Sequence, residues 1–373
     1  MITSIFRLIS LKVRKLRGAD WLIVLAGFVF VLFGLAAIYS VDLSRGAELF
    51  NIKKQLFAIV AAGILAFFVA TSNYKLLRNY SLILYIFGVV ILVAVLFFGT
   101  TVRGARGWFV FDLVSVQPVE YMKLVLILSL ASYFSQRARP LFGLRECLES
   151  ALISFVPIVL TLLQPDFGSA LILAGIWFCF TLFAGMRFRF IASLTGIFSV
   201  LFLFSWKFLF AAYQKARILT FFNPTFDPLG QGYNVSQAII AIGAGGWFGR
   251  GLGFGSQSQL KFLPESQNDF IFAVIAEELG LLGVILVLGA FALLFLRFAF
   301  IIRTSRDNFS AFLVIGIAST FFLQILVNIG MNLGLFPVTG IGLPLVSYGG
   351  SSAALFLILL GIVQSIVIHE KRS

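Results

Sequence analysis

Long stretches of apolar side chains, each close to the length of a membrane-spanning helix, follow one another along this chain. Of its 373 residues, 60% are hydrophobic, and the mean hydropathy is +1.05. A soluble domain of this size cannot be so apolar, because its surface has to face water. The sequence therefore predicts an all-α polytopic membrane protein.

We count ten apolar segments and predict ten transmembrane helices in a single integral-membrane domain covering residues 1–373. The segments are 20–40, 52–71, 79–99, 118–135, 148–163, 168–186, 188–208, 269–302, 309–333 and 345–369. The first is long enough to span a bilayer, which indicates a retained helix rather than a cleaved signal peptide. Between the seventh and eighth segments lies a loop, about 209–268, that we predict to be large and structured.

Basic residues are distributed unevenly between alternate loops. One set of loops holds 17 of the 28 Lys and Arg residues, and the positive-inside rule places that set in the cytoplasm. Both termini are then cytoplasmic, and the 209–268 loop lies on the outer face. Because this rule explains much of the net charge of +13, the charge does not indicate a nucleic-acid partner.

Several catalytic chemistries are disfavoured by the scarcity of their residues. The two cysteines, Cys147 and Cys179, have the spacing of neither a metal site nor a disulfide framework. The only histidine, His369, lies near the end of the chain. Catalysis by a histidine base or a histidine-bound zinc is therefore not expected, and attention turns to carboxylates and cations.

A first candidate site lies in residues 102–123, VRGARGWFVFDLVSVQPVEYMK. Arg103 and Arg106 alternate with glycines in an outer loop, and guanidinium groups suit bidentate phosphate contacts. Glu120 and Lys123 share one face of the fourth helix, being three residues apart. These residues predict a cationic pocket for a phosphate group. The competing interpretation is an interfacial arginine pair and a snorkelling lysine neutralised by its neighbour.

Further candidates have structural explanations of similar weight. Asp166, in QPDFGSA, is either a helix cap or a carboxylate near the same pocket. Arg217, Arg250 and Lys261 belong to the 209–268 loop and could line a cavity. Ser347 lies in a Gly- and Pro-broken connection before the last helix, where capping and helix packing are the alternative.

The stretch LPESQNDFIFAVIAEELG, residues 263–280, concentrates acids at the start of the eighth helix. An ionisable side chain at membrane depth is a functional candidate, because burying it is unfavourable. Asp269 lies at the head of the helix, whereas Glu277 lies about 12 Å further along it, at about 1.5 Å per residue. We interpret Asp269 as functional, the alternative being an acid at a helix N-terminus that the helix dipole favours. Glu277 and Glu278 are interpreted as polar contacts between helices.

The order and spacing of several motifs resemble those of the SEDS family, the shape, elongation, division and sporulation proteins that include RodA and FtsW. The motifs are QPVEYMK, QPDFGSA, NVSQAIIAIGAGGWFGRGLGFGSQSQLKFLPES, NDFIFAVIAEELG and PLVSYGGSS. The resemblance extends from about Arg103 to the end of the chain. Two departures stand out: Gln267-Asn268 replaces the usual His-Thr, and Val119 replaces a serine.

The resemblance implies a peptidoglycan glycosyltransferase that polymerises lipid II at the outer face of the bacterial cytoplasmic membrane. Its implied partners are lipid II, a class B penicillin-binding protein and membrane lipids. The family motifs place the key carboxylate on Asp269 and bring Glu120, Lys123 and Asp166 into the cavity. The motifs favour a RodA-like role in elongation, with an FtsW-like septal polymerase as the alternative.

A divalent cation, Mg²⁺ or Mn²⁺, is a possible cofactor. Held by Glu120 or Asp269, it would neutralise a diphosphate.

Two other functions are consistent with the same residues. A lipid flippase would use the same cationic cavity but requires functional groups at mid-membrane, a position that Glu277 and Glu278 could supply. A non-catalytic scaffold would tolerate loss of Asp269.

Overall fold

The computed structural model describes residues 16–44, 49–102, 104–111, 115–137, 143–185 and 230–370, together with Gly46 and scattered residues between 190 and 221. After a short 3-10 turn, the helices are α1 Trp21–Ser44, α2 Phe50–Thr71, α3 Lys75–Phe98, α4 Pro118–Ser135, α5 Leu144–Leu163, α6 Phe167–Phe183, α7 Gln231–Ala244, α8 Ser256–Gln259, α9 Ile271–Thr304, α10 Asn308–Asn332 and α11 Gly350–Glu370. Three short strands are β1 Thr100–Val102, β2 Ala105–Val110 and β3 Ser115–Val116.

Within these ranges, seven helices are long and apolar enough to cross a membrane: α1, α2, α3, α5, α9, α10 and α11. Helices α4 and α6 coincide with the fourth and sixth predicted segments, but α6 has 17 residues and α4 carries two charges in its first turns. The protein is therefore a multi-pass membrane protein. The number ten stays a prediction, because the segment 188–208 lies largely outside the described residues.

The interior of the helix bundle is built mainly around α10 and α11, whose most apolar windows are 67% and 72% buried, against 22% for α2 and α3. Aromatic side chains join the central helices: Phe321 packs on Phe356 of α11 and on Phe298 of α9. Phe30 of α1 stacks on Phe291 of α9 with ring centroids 4.1 Å apart. This packing holds α9 between α1 and α10, which fixes the position of its first residues.

The all-α prediction is incomplete, since residues 100–116 form a small antiparallel sheet in the order β1-β2-β3. Val102 pairs with Ala105, so the β1–β2 connection is a tight turn, and Gly104 there has φ +83°. Two-residue hairpin turns need such a left-handed residue. The turn therefore explains the glycine, and the flanking Thr, Val, Trp and Phe residues favour strands.

Helix α9 is interrupted at Gly280, which has φ +65° and leaves helical geometry. The turn 246–251 lies against the break and forms four backbone hydrogen bonds with it: Arg250 N and Gly251 N donate to the carbonyls of Glu277 and Glu278, and Leu281 N and Leu282 N donate to those of Gly246 and Trp247. Backbone groups released by a broken membrane helix have to be paired within the protein. The turn 246–251 fulfils that requirement.

Alanine at Gly280 is expected to lower stability severely, by more than about 4 kcal/mol, because a β-carbon there would lie 2.2 Å from the Gly249 nitrogen. Gly289, further along α9, is a matched control because a β-carbon would meet nothing within 4 Å. Thermal unfolding in detergent compares the two variants. If Gly280→Ala and Gly289→Ala had the same melting temperature, the close approach of Gly280 to Gly249 would not be required for stability.

Candidate functional site

Asp269 is held by its backbone at the head of α9. Its carbonyl oxygen accepts hydrogen bonds from Asn328 Nδ2 at 3.0 Å and Asn332 Nδ2 at 2.9 Å, both on α10. Asn332 Oδ1 in turn accepts from Ala273 N at 3.2 Å. The side chain is buried, and a β-carbon added to Gly340 would lie 4.0 Å from its Oδ2. The two asparagines therefore fix the direction of the acid without using its carboxylate.

The two residues before Asp269 are fixed as tightly. Ser347 Oγ donates to the Asn268 carbonyl at 2.6 Å and accepts from Leu343 N at 2.7 Å. Gln267 Nε2 donates to Asp42 Oδ1 at 2.7 Å. Ser347, predicted as a substrate-binding residue, thus anchors the segment that carries Asp269, because its hydroxyl both donates and accepts a hydrogen bond.

A buried carboxylate, Asp42, joins this segment to the start of α2. Besides Gln267, it accepts hydrogen bonds from Asn51 Nδ2 at 2.7 Å and from Ile52 N at 3.0 Å. Three neutral donors replace the water that the carboxylate loses on burial. Asp42, Asn328 and Asn332 were not predicted from the sequence, because single polar residues near helix ends carry no local pattern.

Glu120 and Lys123 form a buried ion pair, with Lys123 Nζ 2.8 Å from Glu120 Oε1. Lys123 is 1% exposed and Glu120 8%. The second oxygen, Glu120 Oε2, has no hydrogen-bond partner among the described residues. A buried carboxylate oxygen without a donor is unfavourable, which makes it a place for a ligand to donate a hydrogen bond.

Glu120 lines a cavity of about 470 Å³ between α2, α4 and α11. Its polar lining includes Lys54, Gln55, Gln117, Glu120, Tyr348 and Ser351, and its apolar lining includes Phe57, Leu65, Leu124 and Ile358. Burial, and after it the charge of Asp42, raises the pKa of the Tyr348 hydroxyl, so this group is a neutral donor. The cavity therefore suits a ligand with a polar head and a hydrocarbon tail.

Asp269 and Lys123 are not lining residues of this cavity, but a continuous set of contacts connects Asp269 to it. Ser347, bound to Asn268, precedes the lining residue Tyr348, whose backbone N donates to the Gln267 carbonyl at 2.8 Å. The structure thus brings Asp269, Ser347 and the Glu120–Lys123 pair to one end of the bundle.

Asp166 has the structural role that the sequence left open. It caps α6, accepting from Ser169 N at 3.0 Å and from Ser169 Oγ at 2.8 Å. Its Oδ2 also accepts from Gln117 Nε2 at 3.1 Å, next to the cavity. Asp166 therefore positions the cavity wall, and direct contact with a substrate stays a prediction.

The predicted cations are placed unequally. Arg106 is exposed, and its guanidinium donates to the carbonyls of Phe97 and Gly99 at the end of α3. Lys261 is exposed and has φ +62°. Arg103 and Arg217 lie outside the described residues. Lys54, which was not predicted as a site residue, is the lysine that lines the cavity.

Glu277 and Glu278 are bound to neighbouring polar groups. Glu277 accepts from the backbone of Gln257 at 2.7 Å and of Ser258 at 3.0 Å, at the start of α8. Glu278 Oε1 accepts from Ser40 Oγ at 2.5 Å and from Ser258 Oγ at 3.1 Å. Both acids therefore join α9 to the 250–259 segment, and Glu278 also reaches α1.

The described residues do not form a metal centre by themselves. They contain no group of three or more His, Cys, Asp and Glu residues arranged to hold a metal ion. The candidate ligand Glu120 already has the Lys123 ammonium on one oxygen, and a second cation there would be repelled. A divalent ion therefore stays a prediction, and no step proposed below depends on it.

Nearly the whole chain matches the model of one protein family. The family model described as "Cell cycle protein", covering FtsW, RodA and SpoVE, matches residues 20–372. The chain belongs to the FtsW/RodA/SpoVE family. This confirms the resemblance to SEDS proteins and, because the match covers nearly the whole sequence, extends it to the first three helices.

The chain is also similar to individual members of the FtsW/RodA/SpoVE family over most of its length. The peptidoglycan glycosyltransferase MrdB of Escherichia coli K12 is 38% identical over 290 residues, covering 77% of this chain and 78% of that protein. The probable peptidoglycan glycosyltransferase FtsW of Thiomicrospira cyclica is 36% identical over 371 residues, covering 95% and 92%. The two identities are nearly equal although the two enzymes have different names. The comparison therefore does not decide between a RodA-like and an FtsW-like role.

A solved structure shares the fold. One chain in a study of how a peptidoglycan synthase complex coordinates polymerization and crosslinking superposes with a TM-score of 0.80 and 29% identity, covering 95% of this chain and 99% of that one. The overall arrangement of helices is therefore similar to that of a chain from a peptidoglycan synthase complex.

Proposed function

We propose that this protein is a peptidoglycan glycosyltransferase that polymerises lipid II at the outer face of the bacterial cytoplasmic membrane, with Asp269 as general base. The enzyme class follows from its relatives. The observation that supports the site is the fixed Asp269, held through its own carbonyl by Asn328 and Asn332 beside an amphiphile-shaped cavity.

The proposed reaction joins a sugar hydroxyl of one lipid-linked chain to the anomeric carbon of another. The acceptor hydroxyl is a weak nucleophile, so a positioned carboxylate assists by removing its proton. The hydroxyl oxygen forms the new glycosidic bond as the bond from the anomeric carbon to the diphosphate breaks. The diphosphate departs with the electron pair of that bond, and Asp269 holds the proton.

The departing diphosphate requires preorganised positive charge. Lys54 is the described lysine on the cavity wall, and Lys123 is buried directly behind Glu120. Arg103, Arg106, Arg217 and Lys261 remain candidates for the same role. The hydrocarbon of the lipid carrier would lie against the apolar wall formed by Phe57, Leu65 and Ile358.

In this proposal the enzyme works with a crosslinking partner and serves cell elongation. The structural relative belongs to a complex that couples polymerization to crosslinking, which supports a class B penicillin-binding protein as partner. The positive-inside distribution supports cytoplasmic termini and an outer site. The motifs GSQSQLKFLPE and FPVTGIGLPLVSYGGSS support a RodA-like role in elongation, with FtsW-like division as the alternative.

A flippase is the main competing function, and reconstitution in liposomes separates the two. Fluorescent lipid II is placed in the outer leaflet, with the partner present and its crosslinking inhibited. We expect glycan strands to form, with no acceleration of lipid II movement between leaflets. That movement is measured by the access of dithionite to the fluorescent label. Rapid movement without strands would contradict the proposal.

A further inference from the structure

The turn 246–254, WFGRGLGF with its preceding glycine, presents a patch of large apolar side chains on the protein surface. Trp247, Phe248 and Phe254 are 69%, 81% and 76% exposed, and Leu252 is exposed beside them. Arg250 is exposed on the same turn, and its Nε donates to the Ala244 carbonyl at 3.2 Å. Large apolar side chains that are this exposed and this close together in the chain mark a surface that is covered in the working protein.

The patch is held rigidly by the backbone hydrogen bonds to the broken part of α9 described above. Gly246, Gly249, Gly251 and Gly253 all have positive φ, between +54° and +94°. Gly253 N also donates to Ser40 Oγ at 3.1 Å. The side chains are therefore displayed from a fixed framework anchored to α1 and α9.

The level of the patch follows from the contacts between α1 and α9. At one end, Asp20 binds Arg297 at 2.6 Å. At the other, Ser40 binds Glu278 and the turn itself. The stretch of α1 between them rises about 30 Å at about 1.5 Å per residue, which is roughly the thickness of the hydrocarbon core.

Exposed tryptophans occur at both ends of this 30 Å interval. Trp21, the first residue of α1, is 62% exposed beside the Asp20–Arg297 pair, and Trp247 is exposed at the Ser40 level. Between them, α1 exposes apolar side chains such as Leu25, Phe28 and Leu32. Tryptophan and tyrosine concentrate at the two membrane–water interfaces, so the patch lies where such a residue is expected.

The patch is also continuous with a lipid-facing surface of α9. Leu281 and Leu282, bound to the carbonyls of Gly246 and Trp247, are exposed, and so are Ile285 and Leu286 further along. A spanning helix that presents exposed leucine and isoleucine faces hydrocarbon. The turn therefore lies directly beside this lipid-facing surface of α9.

We propose that the turn 246–254 is a membrane-interface anchor: Trp247, Phe248 and Phe254 insert at the boundary between headgroups and hydrocarbon, and Arg250 contacts lipid phosphate. Aromatic side chains suit that boundary because they combine an apolar body with a polar edge or tip. The arginine guanidinium suits it because its positive charge can pair with lipid phosphate. The inference concerns lipid binding alone and is independent of the proposed reaction.

Spin labelling of the full chain in lipid nanodiscs tests the anchor. Cys147 and Cys179 are replaced by serine, and a label is placed at Phe248→Cys, with Ile285→Cys as the lipid reference and Arg306→Cys as the water reference. We expect the ratio of oxygen to nickel-chelate collisions at position 248 to be several-fold above that at 306 and close to that at 285. A water-like ratio overturns the anchor. Protection from both probes also overturns it, because a protein then covers the patch.

A second measurement keeps the native cysteines. Trp247→Phe is compared with the unchanged chain in bilayers containing shallow brominated phosphatidylcholine. The difference between the two emission signals belongs to Trp247, and we expect brominated lipid to quench at least half of it. Quenching by aqueous iodide instead, with none by brominated lipid, would place the turn in water and refute the anchor.

Discussion

Asp269→Asn is expected to abolish glycan polymerisation, lowering the rate by at least about 10²-fold, the lower range for loss of a general base. Asparagine has the shape of aspartate but cannot take the acceptor's proton. The hydrogen bonds from Asn328 and Asn332 go to the backbone carbonyl of residue 269, so the substitution leaves them in place. Strand formation from labelled lipid II, with the partner present and crosslinking inhibited, measures the loss.

Asp307→Asn is the matched control for the same chemical change. Asp307 caps α10 at the end of that helix opposite Asn332, and asparagine caps helices as well as aspartate does. This variant should polymerise at the rate of the unchanged protein, and both variants should keep its melting temperature. Strands of normal length and rate from Asp269→Asn would remove Asp269 from catalysis.

Lys123→Met is expected to give the largest loss of stability among changes at the site. Lys123 is the ion-pair partner of Glu120, and both side chains are buried. Removing one member of a buried pair leaves the other charge uncompensated, which destabilises proteins by about 3–5 kcal/mol. Thermal unfolding in detergent should show a clear fall in melting temperature, and polymerisation should fall with it.

The double variant Glu120→Gln/Lys123→Met separates stability from function. Because it removes both charges, most of the lost stability should return, as replacing a whole buried pair is often neutral. Polymerisation should stay at least about tenfold below that of the unchanged protein, since the cavity has lost its charged pair. A double variant that is both stable and fully active would make the pair purely structural.

The spans were largely predictable, because long apolar runs and their terminal residues follow local rules. Helix α4 begins at Pro118 and ends at Ser135, as predicted, since proline suits the first helical position. Helix α11 begins at Gly350, five residues later than predicted. The difference arises where Ser347 holds the preceding chain against Asn268, a long-range contact with no local signal.

The candidate site was only partly predictable. Motif resemblance located Asp269 and the Glu120–Lys123 pair, whereas Asp42 and the α10 asparagines act through tertiary contacts. The depth of Glu277 and Glu278 also needed the structure. Counted along the chain from Asp269, both acids lie well along α9. In the structure, however, Glu278 binds Ser40, which lies near the C-terminal end of α1 and not at its middle. Helix α9, with 34 residues, is much longer than the bilayer is thick.

Chemical rescue tests the role of the Asp269 carboxylate most directly. Asp269→Ala opens a space where the carboxylate lay, and formate, a small carboxylate, is added to the polymerisation assay alongside Asp269→Asn, which leaves no such space. We predict that Asp269→Ala makes no strands alone, that formate restores strand formation in it, and that Asp269→Asn stays inactive. Strand formation by Asp269→Ala at the normal rate without formate would contradict the assignment of Asp269 as the base.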